Sequence, residues 1–221
     1  MVYSNNALFA LEYKPLKTPF TRMKPKVEGQ IFEVHVPTLE DNQHDLFTLC
    51  EFCQVILDKC TREVQSNPIE DANEEEILGK VVNTVFVRAL PHVELAVWDS
   101  LPNYADIEVW SLENWHERVR DWLMTKYTIQ DYHAIAQQLR NWRKPRNVSI
   151  FDNQNYMMKI NLAIAFMTAD VAPLNETEFK QSFFSCHPDG WKNEFLLHNN
   201  VDDATLADIS SFMQKKEQVV L

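Results

Sequence analysis

The residues best suited to chemistry are Cys50 and Cys53, whose spacing is that of one half of a zinc site. A closed site needs two further ligands, for which Cys60, His44 and the adjacent pair 186–187 are the candidates. The two cysteines also share one face of an apolar helical segment, where small buried thiols are common. We therefore favour buried thiols over zinc, and we expect neither a metal nor another cofactor.

Catalytic motifs are the next possibility. The stretch Cys186-His187-Pro188-Asp189-Gly190 pairs a thiol with a base, but Pro-Asp-Gly is first a turn signal, and it predicts a turn between two helices. The chain has three glycines, at widely separated positions, so phosphate-binding glycine loops are excluded. We expect no catalytic residue, no small-molecule substrate and no enzymatic activity.

A short basic segment is the candidate for contact with RNA. Its residues are Arg140, Trp142, Arg143, Lys144 and Arg146. An indole can stack on a base while neighbouring cations bind phosphates. The alternative is a solvated helix end, where cations interact favourably with the helix dipole and the proline of the segment ends the helix.

Overall charge and hydropathy limit the partners. The formal net charge is −11 with a pI near 5.1, so the chain as a whole repels nucleic acid. We find no apolar run long enough to span a membrane and no secretory signal. We therefore expect a cytoplasmic protein with reduced cysteines and no membrane partner.

Helix-start signals indicate the elements that position these residues. In each, a small polar residue is followed three positions later by an acid or amide, which satisfies the backbone N–H groups of a first turn. The pairs are Asn42–Asp45, Asp71–Glu74, Ser111–Asn114, Thr128–Asp131, Ser149–Asp152 and Asn175–Glu178. Apolar residues at helical spacing follow each pair, for example Tyr156, Ile160, Ile164 and Met167.

The segment before residue 42 has a different period. Phe32, Val34 and Val36 alternate with polar residues, which predicts a short strand paired with part of residues 7–13. A new helix-start signal near residue 128 predicts a domain boundary. The predicted fold is mainly α: an extended N-terminal arm (1–29), a helical domain with a short β element (30–127) and a second helical domain (128–221).

Large aromatic residues are the candidates for the cores or for contacts between subunits, where tryptophan is enriched. The candidates are Trp98, Trp115, Trp122, Phe183, Trp191 and Phe195. We expect Trp191 to be a buried anchor of the second domain.

The order of several segments carries more information than any one of them. An apolar helix ending at Leu90 is followed by an aliphatic-Trp pair at 97–98, and a Trp-led helix covers 115–123. A Leu…Lys-Pro helix end (139–145) precedes the next helix, and Pro188-Asp-Gly-Trp191…Phe195 precedes the terminal helix. This order, over residues 80–217, resembles the capsid region of retroelement Gag polyproteins, notably those of copia-type LTR retrotransposons.

The resemblance implies capsid-like N- and C-terminal domains that self-associate into rings or a shell, a virus-like particle enclosing the RNA of the element. The resemblance also fits a host gene that derives from such an element, and the same capsid-like fold is then expected. The zinc knuckle by which many Gag proteins bind RNA is absent from this sequence. The alternative is a non-enzymatic helical adaptor or scaffold, which uses the same apolar surfaces to bind a different protein.

Overall fold

The computed structural model describes residues 20–39, 45–102, 110–127, 132–145 and 148–220. Within these ranges the chain is mainly helical, which confirms the predicted fold class. The chain divides into two compact units, with the described residues up to 127 in the first and those from 132 in the second. None of the helices in these ranges is both long and apolar enough to cross a membrane.

The first unit begins with two nested antiparallel strand pairs. β1 (Thr21–Met23) pairs with β4 (Val34–Val36), and β2 (Lys26–Val27) pairs with β3 (Gln30–Ile31). Glu28 and Gly29 form the turn with positive φ, which favours glycine and matches the twist of a two-residue hairpin. The alternation predicted around β4 is present, since Val34 and Val36 are buried and the residue between them is exposed.

One partner of this strand lies within the described residues. β4 pairs with residues 21–23, while the expected partner, within residues 7–13, lies outside the described residues. Residues 20–29, expected to be part of an extended arm, instead belong to the folded unit. The reason is burial, because Met23 and Val27 enter the apolar core.

Four helices lie in the described part of the first unit. They are α1 (Leu46–Ser66), α2 (Glu74–Ala89), α3 (His92–Ser100) and α4 (Leu112–Met124). α2 packs against both α1 and α4. Phe86 of α2 lies at the centre of the core, with its ring centroid 4.7 Å from that of Trp98 and 5.5 Å from that of Trp122.

The residues that the structure describes in the second unit form five helices. They are α5 (Tyr132–Arg140), α6 (Ile150–Met167), α7 (Glu176–Ser185), α8 (Asp189–Leu196) and α9 (Leu206–Val220). α6 packs against α5 and α9, and α5 also contacts α7. The predicted turn at residues 186–190 connects α7 to α8, with Asp189 and Gly190 in the first turn of α8.

Three of the predicted helix starts are confirmed, because the predicted polar residue is the observed N-cap. Ser111 and Ser149 cap α4 and α6, and Asn175 forms a reciprocal capping box with Glu178 at α7. Two starts are shifted, because Asp45 caps α1 and Asn73 caps α2, where their side chains reach a free backbone N–H. The start at Thr128 lies outside the described residues.

Candidate functional site

The basic segment lies where α5 ends and α6 begins, and its members have different environments. Arg140 and Arg143 are exposed, Trp142 is half-buried, and Arg146 lies outside the described residues. Lys144 differs from the exposed arginines, because its Nζ lies 2.9 Å from a carboxylate oxygen of Glu217. Among its described residues, the segment therefore presents two exposed arginines beside an indole, and its lysine is engaged by a carboxylate.

Glu217 connects the end of α9 to the start of α6. One carboxylate oxygen pairs with Lys144, and the other accepts a hydrogen bond from the backbone N–H of Ile150 at 3.0 Å. Burial raises the pKa of Glu217, but the hydrogen bonds from Lys144 and Ile150 outweigh burial, so the pKa is lowered. A carboxylate at a helix N-terminus is also favoured by the helix dipole.

A hydrogen bond fixes the orientation of the Trp142 indole. Its Nε1–H donates to Oδ1 of Asn153 at 2.8 Å, and Asn153 is fully buried. The amide Nδ2 of Asn153 lies 3.4 Å from Sγ of Cys186, which follows α7. The indole therefore points its polar edge toward the interior of the second unit, and Trp142 as a whole is half-buried.

A groove of about 530 Å³ lies beside this indole. Its walls carry two aromatic rings, one from the α5–α6 connection and one from α6, together with amide, guanidinium and aliphatic groups. We call it the junction groove, and its main lining residues are Gln138, Trp142, Arg143, Pro145, Val148 and Tyr156. Trp142 and Arg143 belong to the basic segment that the sequence indicates, whereas Gln138 and Tyr156 lie on separate helices and no sequence pattern joins them to it.

A second surface follows one side of α6. Phe151, Asn155, Met158, Leu162 and Ala165 recur at alternating spacings of four and three residues, so they share one face of the helix. Phe151 is 62% exposed and Met158 is 49% exposed, although both are large and apolar. We call this surface the α6 stripe.

The apolar spacing in the sequence predicts one buried face of α6 and does not reveal this second apolar face. Ile160, Ile164 and Met167 are indeed buried, and Tyr156 is half-buried. The signal for a second apolar face was the composition of the helix, since a helix that is apolar around much of its circumference has more apolar surface than one core contact covers.

The six aromatic candidates for core or interface differ in burial. Trp98, Trp115 and Trp122 are buried in the first unit, and Phe183 and Phe195 in the second. Trp191 is half-buried, contrary to the expectation of a core anchor. It lies on the first turn of α8, and Phe195, one turn later, is the residue of that helix that enters the core.

The cysteine environments support the interpretation as buried thiols. Cys50, Cys53 and Cys60 all lie in α1, and burial raises the pKa of each thiol. Buried thiols of raised pKa are poor nucleophiles. Within the described ranges, no three His, Cys, Asp or Glu side chains come together as a metal site.

His187 occupies an unusual environment. It is 2% exposed, its Nδ1 lies 2.7 Å from the carbonyl oxygen of Phe183, and its Nε2 has no hydrogen-bond partner among the described residues. Burial lowers its pKa to about 4, so the ring is neutral at pH 7. Nδ1–H is therefore the donor to Phe183. The adjacent Cys186 thiol has a pKa raised by burial to about 11.

The Cys186–His187 pair is thus a poor arrangement for nucleophilic catalysis, because thiol and imidazole are both buried and neutral. Two surfaces of the described residues, the junction groove and the α6 stripe, are therefore candidates for function. Comparison of the chain with protein-family models, curated proteins and solved structures finds no match.

Proposed function

We propose that this chain is a structural, non-enzymatic capsid-type protein that self-associates into rings or a shell enclosing RNA. In this proposal the two compact units correspond to the capsid-like N- and C-terminal domains implied by the ordered sequence segments. The proposal places the protein in the cytoplasm, where buried cysteines stay reduced.

The observation that carries the proposal is the α6 stripe. Large apolar side chains with heptad spacing on an exposed helix face are typical of a helix that packs against another helix. Asn155 interrupts the stripe, and a single polar residue in an apolar seam favours one alignment of the two helices over others.

The charges beside the stripe favour a second copy as its partner. Asp152 lies next to Phe151, and Lys159 lies next to Met158. When two copies of α6 pack antiparallel about a two-fold axis near Asn155, Phe151 of each copy faces Met158 of the other. The same arrangement brings Asp152 of each copy toward Lys159 of the other, so the surface is self-complementary.

Assembly from such contacts does not require each of them to be strong. A shell subunit engages several neighbours at once, and the contacts add as avidity. A two-fold contact alone gives dimers, so rings or shells need a second, head-to-tail contact.

The test is the size distribution of the full chain at rising protein concentration, by sedimentation velocity and negative-stain electron microscopy. We expect dimers and larger closed particles. The double variant Phe151→Gln, Met158→Gln should remain monomeric at the same concentrations. The matched control is Val93→Gln, which removes an apolar side chain that is 65% exposed in the first unit; it should assemble normally.

A wild-type chain that stays monomeric at every concentration, with and without RNA, contradicts the capsid proposal. That outcome favours the adaptor, in which the α6 stripe packs against an amphipathic helix of a different protein. Assembly that is unchanged in the double variant contradicts the assignment of the α6 stripe as a contact between copies.

A further inference from the structure

We propose that the junction groove binds an unpaired base of a single-stranded RNA, with the flanking phosphates at Arg140 and Arg143. The inference deepens the RNA-enclosing part of the proposed function and rests on it. It assigns the contact to the second unit of this chain, which has no zinc knuckle. The groove volume, about 530 Å³, lies within the range of small-molecule sites.

The aromatic walls are the first argument. Trp142 and Tyr156 line the same groove, one from the α5–α6 connection and the other from α6. The indole is held in place before any ligand binds, because its N–H donates to the buried Asn153 at 2.8 Å. A ring already fixed in position loses little conformational freedom when a base stacks on it. Every base presents a π-face, so this contact tolerates any sequence.

The polar lining is the second argument. Gln138 brings an amide that both donates and accepts, which matches the donor and acceptor edges of a base. Arg143 brings a guanidinium, whose planar donors match phosphate. Arg140 is exposed at the last residue of α5, three residues before Arg143 in the sequence.

Two acids of this surface each have a lysine partner. Asp189 is the acid that interacts electrostatically with Arg143, and it lies 2.7 Å from Lys192. Glu217 is engaged by Lys144 and by the backbone N–H of Ile150. Arg140 and Arg143 therefore place two exposed positive charges on this surface, although the chain carries a net charge of −11.

The small number of cations at the site predicts a shallow dependence of RNA affinity on salt concentration. Two arginines that each neutralise one phosphate give a slope of about −1.4 in a plot of log affinity against log salt, from about −0.7 per phosphate of a single strand. A chain that binds RNA by general electrostatic attraction has a steeper slope. Base stacking, which salt screens little, is therefore expected to supply most of the affinity.

The experiment measures binding of a fluorescein-labelled oligouridylate by anisotropy. The full chain carries Phe151→Gln and Met158→Gln, so that self-association through the α6 stripe does not enter the measurement. A strand of equal length and charge, with abasic sites, separates base contacts from phosphate contacts. We expect the base-bearing strand to bind about 10-fold more tightly than the abasic strand.

Substitutions in the groove give the second set of results. Tyr156→Ala should weaken binding of the base-bearing strand about 10-fold and leave the abasic strand unchanged. Tyr156→Phe keeps the ring and should bind as the parent does, which separates stacking from loss of fold. Arg143→Gln should reduce the salt slope by about 0.7 for both strands. The matched control is Arg62→Gln, an exposed arginine of α1 in the first unit, which should change neither.

Equal affinities for the two strands overturn the inference, as does a Tyr156→Phe variant that binds as poorly as Tyr156→Ala. Displacement of the oligouridylate by an acidic peptide but not by unlabelled RNA also overturns it, since the groove is then a peptide site. Assembly of the wild type without base-dependent binding contradicts this inference alone. Base-dependent binding by a chain that never assembles contradicts the proposed function alone.

Discussion

The two units bury their large side chains in different ways. In the first unit, Phe86 is surrounded by the rings of Phe52, Trp98, Trp115 and Trp122, at centroid distances of 4.7–5.7 Å. In the second unit, polar atoms enter the interior: the amide of Asn153, the thiol of Cys186 and the imidazole of His187. The second unit also exposes large apolar residues along α6.

The difference indicates how each unit is stabilised. An aromatic core depends on the complementary shapes of its rings, and removal of one ring leaves a cavity. A polar interior depends on paired donors and acceptors, and its stability changes when one of them is protonated or removed. We therefore expect the first unit to respond mainly to changes of volume and the second to changes of pH and hydrogen bonding.

Removal of the central ring should have the largest effect. Phe86→Ala should destabilise the first unit by about 3–5 kcal/mol, the usual cost of a buried Phe→Ala change. Hydrogen exchange followed by mass spectrometry, which reports each unit by its own peptides, is the measurement. The control is Phe20→Ala, because Phe20 is 40% exposed, and its effect should be below about 1 kcal/mol. A small effect at Phe86 contradicts the view that this ring organises the core.

Acid should destabilise the second unit through His187. Its pKa falls from 6.5 in the unfolded chain to about 4 in the folded unit, so the unfolded chain binds more protons between these values. The stability is fully present above pH of about 6.5 and is lost as the pH falls toward 4. The maximum loss is about 3 kcal/mol, from a shift of about 2.5 units at about 1.4 kcal/mol each.

Two charged neighbours also influence the pKa of His187, so the control removes the titrating ring itself. Lys144 lowers its pKa and Glu217 raises it, so both contribute to the pH dependence. His187→Gln cannot titrate, and the stability difference between it and the wild type should shrink by about 3 kcal/mol between pH 7 and pH 4. A difference independent of pH would show that other groups cause the acid sensitivity.

The hydrogen bonds of Asn153 should have an intermediate effect. Asn153→Leu leaves the indole N–H of Trp142 without its acceptor, and we expect a loss of about 1–3 kcal/mol in the second unit. Chemical denaturation, followed by hydrogen exchange in peptides of the second unit, measures this loss of stability. Asn193→Leu, at an exposed position of α8, is the control and should change stability by less than about 0.5 kcal/mol. Equal effects would mean that the Trp142–Asn153 bond contributes nothing specific.

How far the sequence predicts this architecture depends on the range of the interactions involved. Helix caps at Ser111, Ser149 and Asn175 act within four residues, so they were predictable. The same signal is present at Thr205 and Asp208, which hydrogen-bond reciprocally at the start of α9. That start was not identified, although its local spacing is that of the other pairs.

Contacts between distant segments were not predictable. The pairing of β4 with β1 depends on which apolar residues reach the core. The bond from Trp142 to Asn153 and the ion pair from Lys144 to Glu217 each join separate elements. The basic segment was found from its composition, but its division into exposed and engaged cations required the packing of α9.

Two helical glycines test packing at the scale of a single methyl group. At Gly79 of α2, an added Cβ would lie 2.5 Å from the backbone carbon of Ser111, at the start of α4. At Gly190 of α8, nothing lies within 4 Å of an added Cβ. Alanine is the better helix former by up to about 1 kcal/mol, so propensity alone favours both substitutions.

We expect opposite signs at the two positions. Gly79→Ala should destabilise the first unit by about 1 kcal/mol net, because backbone cannot move aside as easily as a flexible side chain and overpacking exceeds the gain in propensity. Gly190→Ala should stabilise the second unit by about 0.5–1 kcal/mol. Unfolding of both variants, with each unit followed by its own exchange-protected peptides, gives the two values. Stabilisation by both would show that α2 and α4 are less tightly packed at Ser111 than the aromatic core beside them implies.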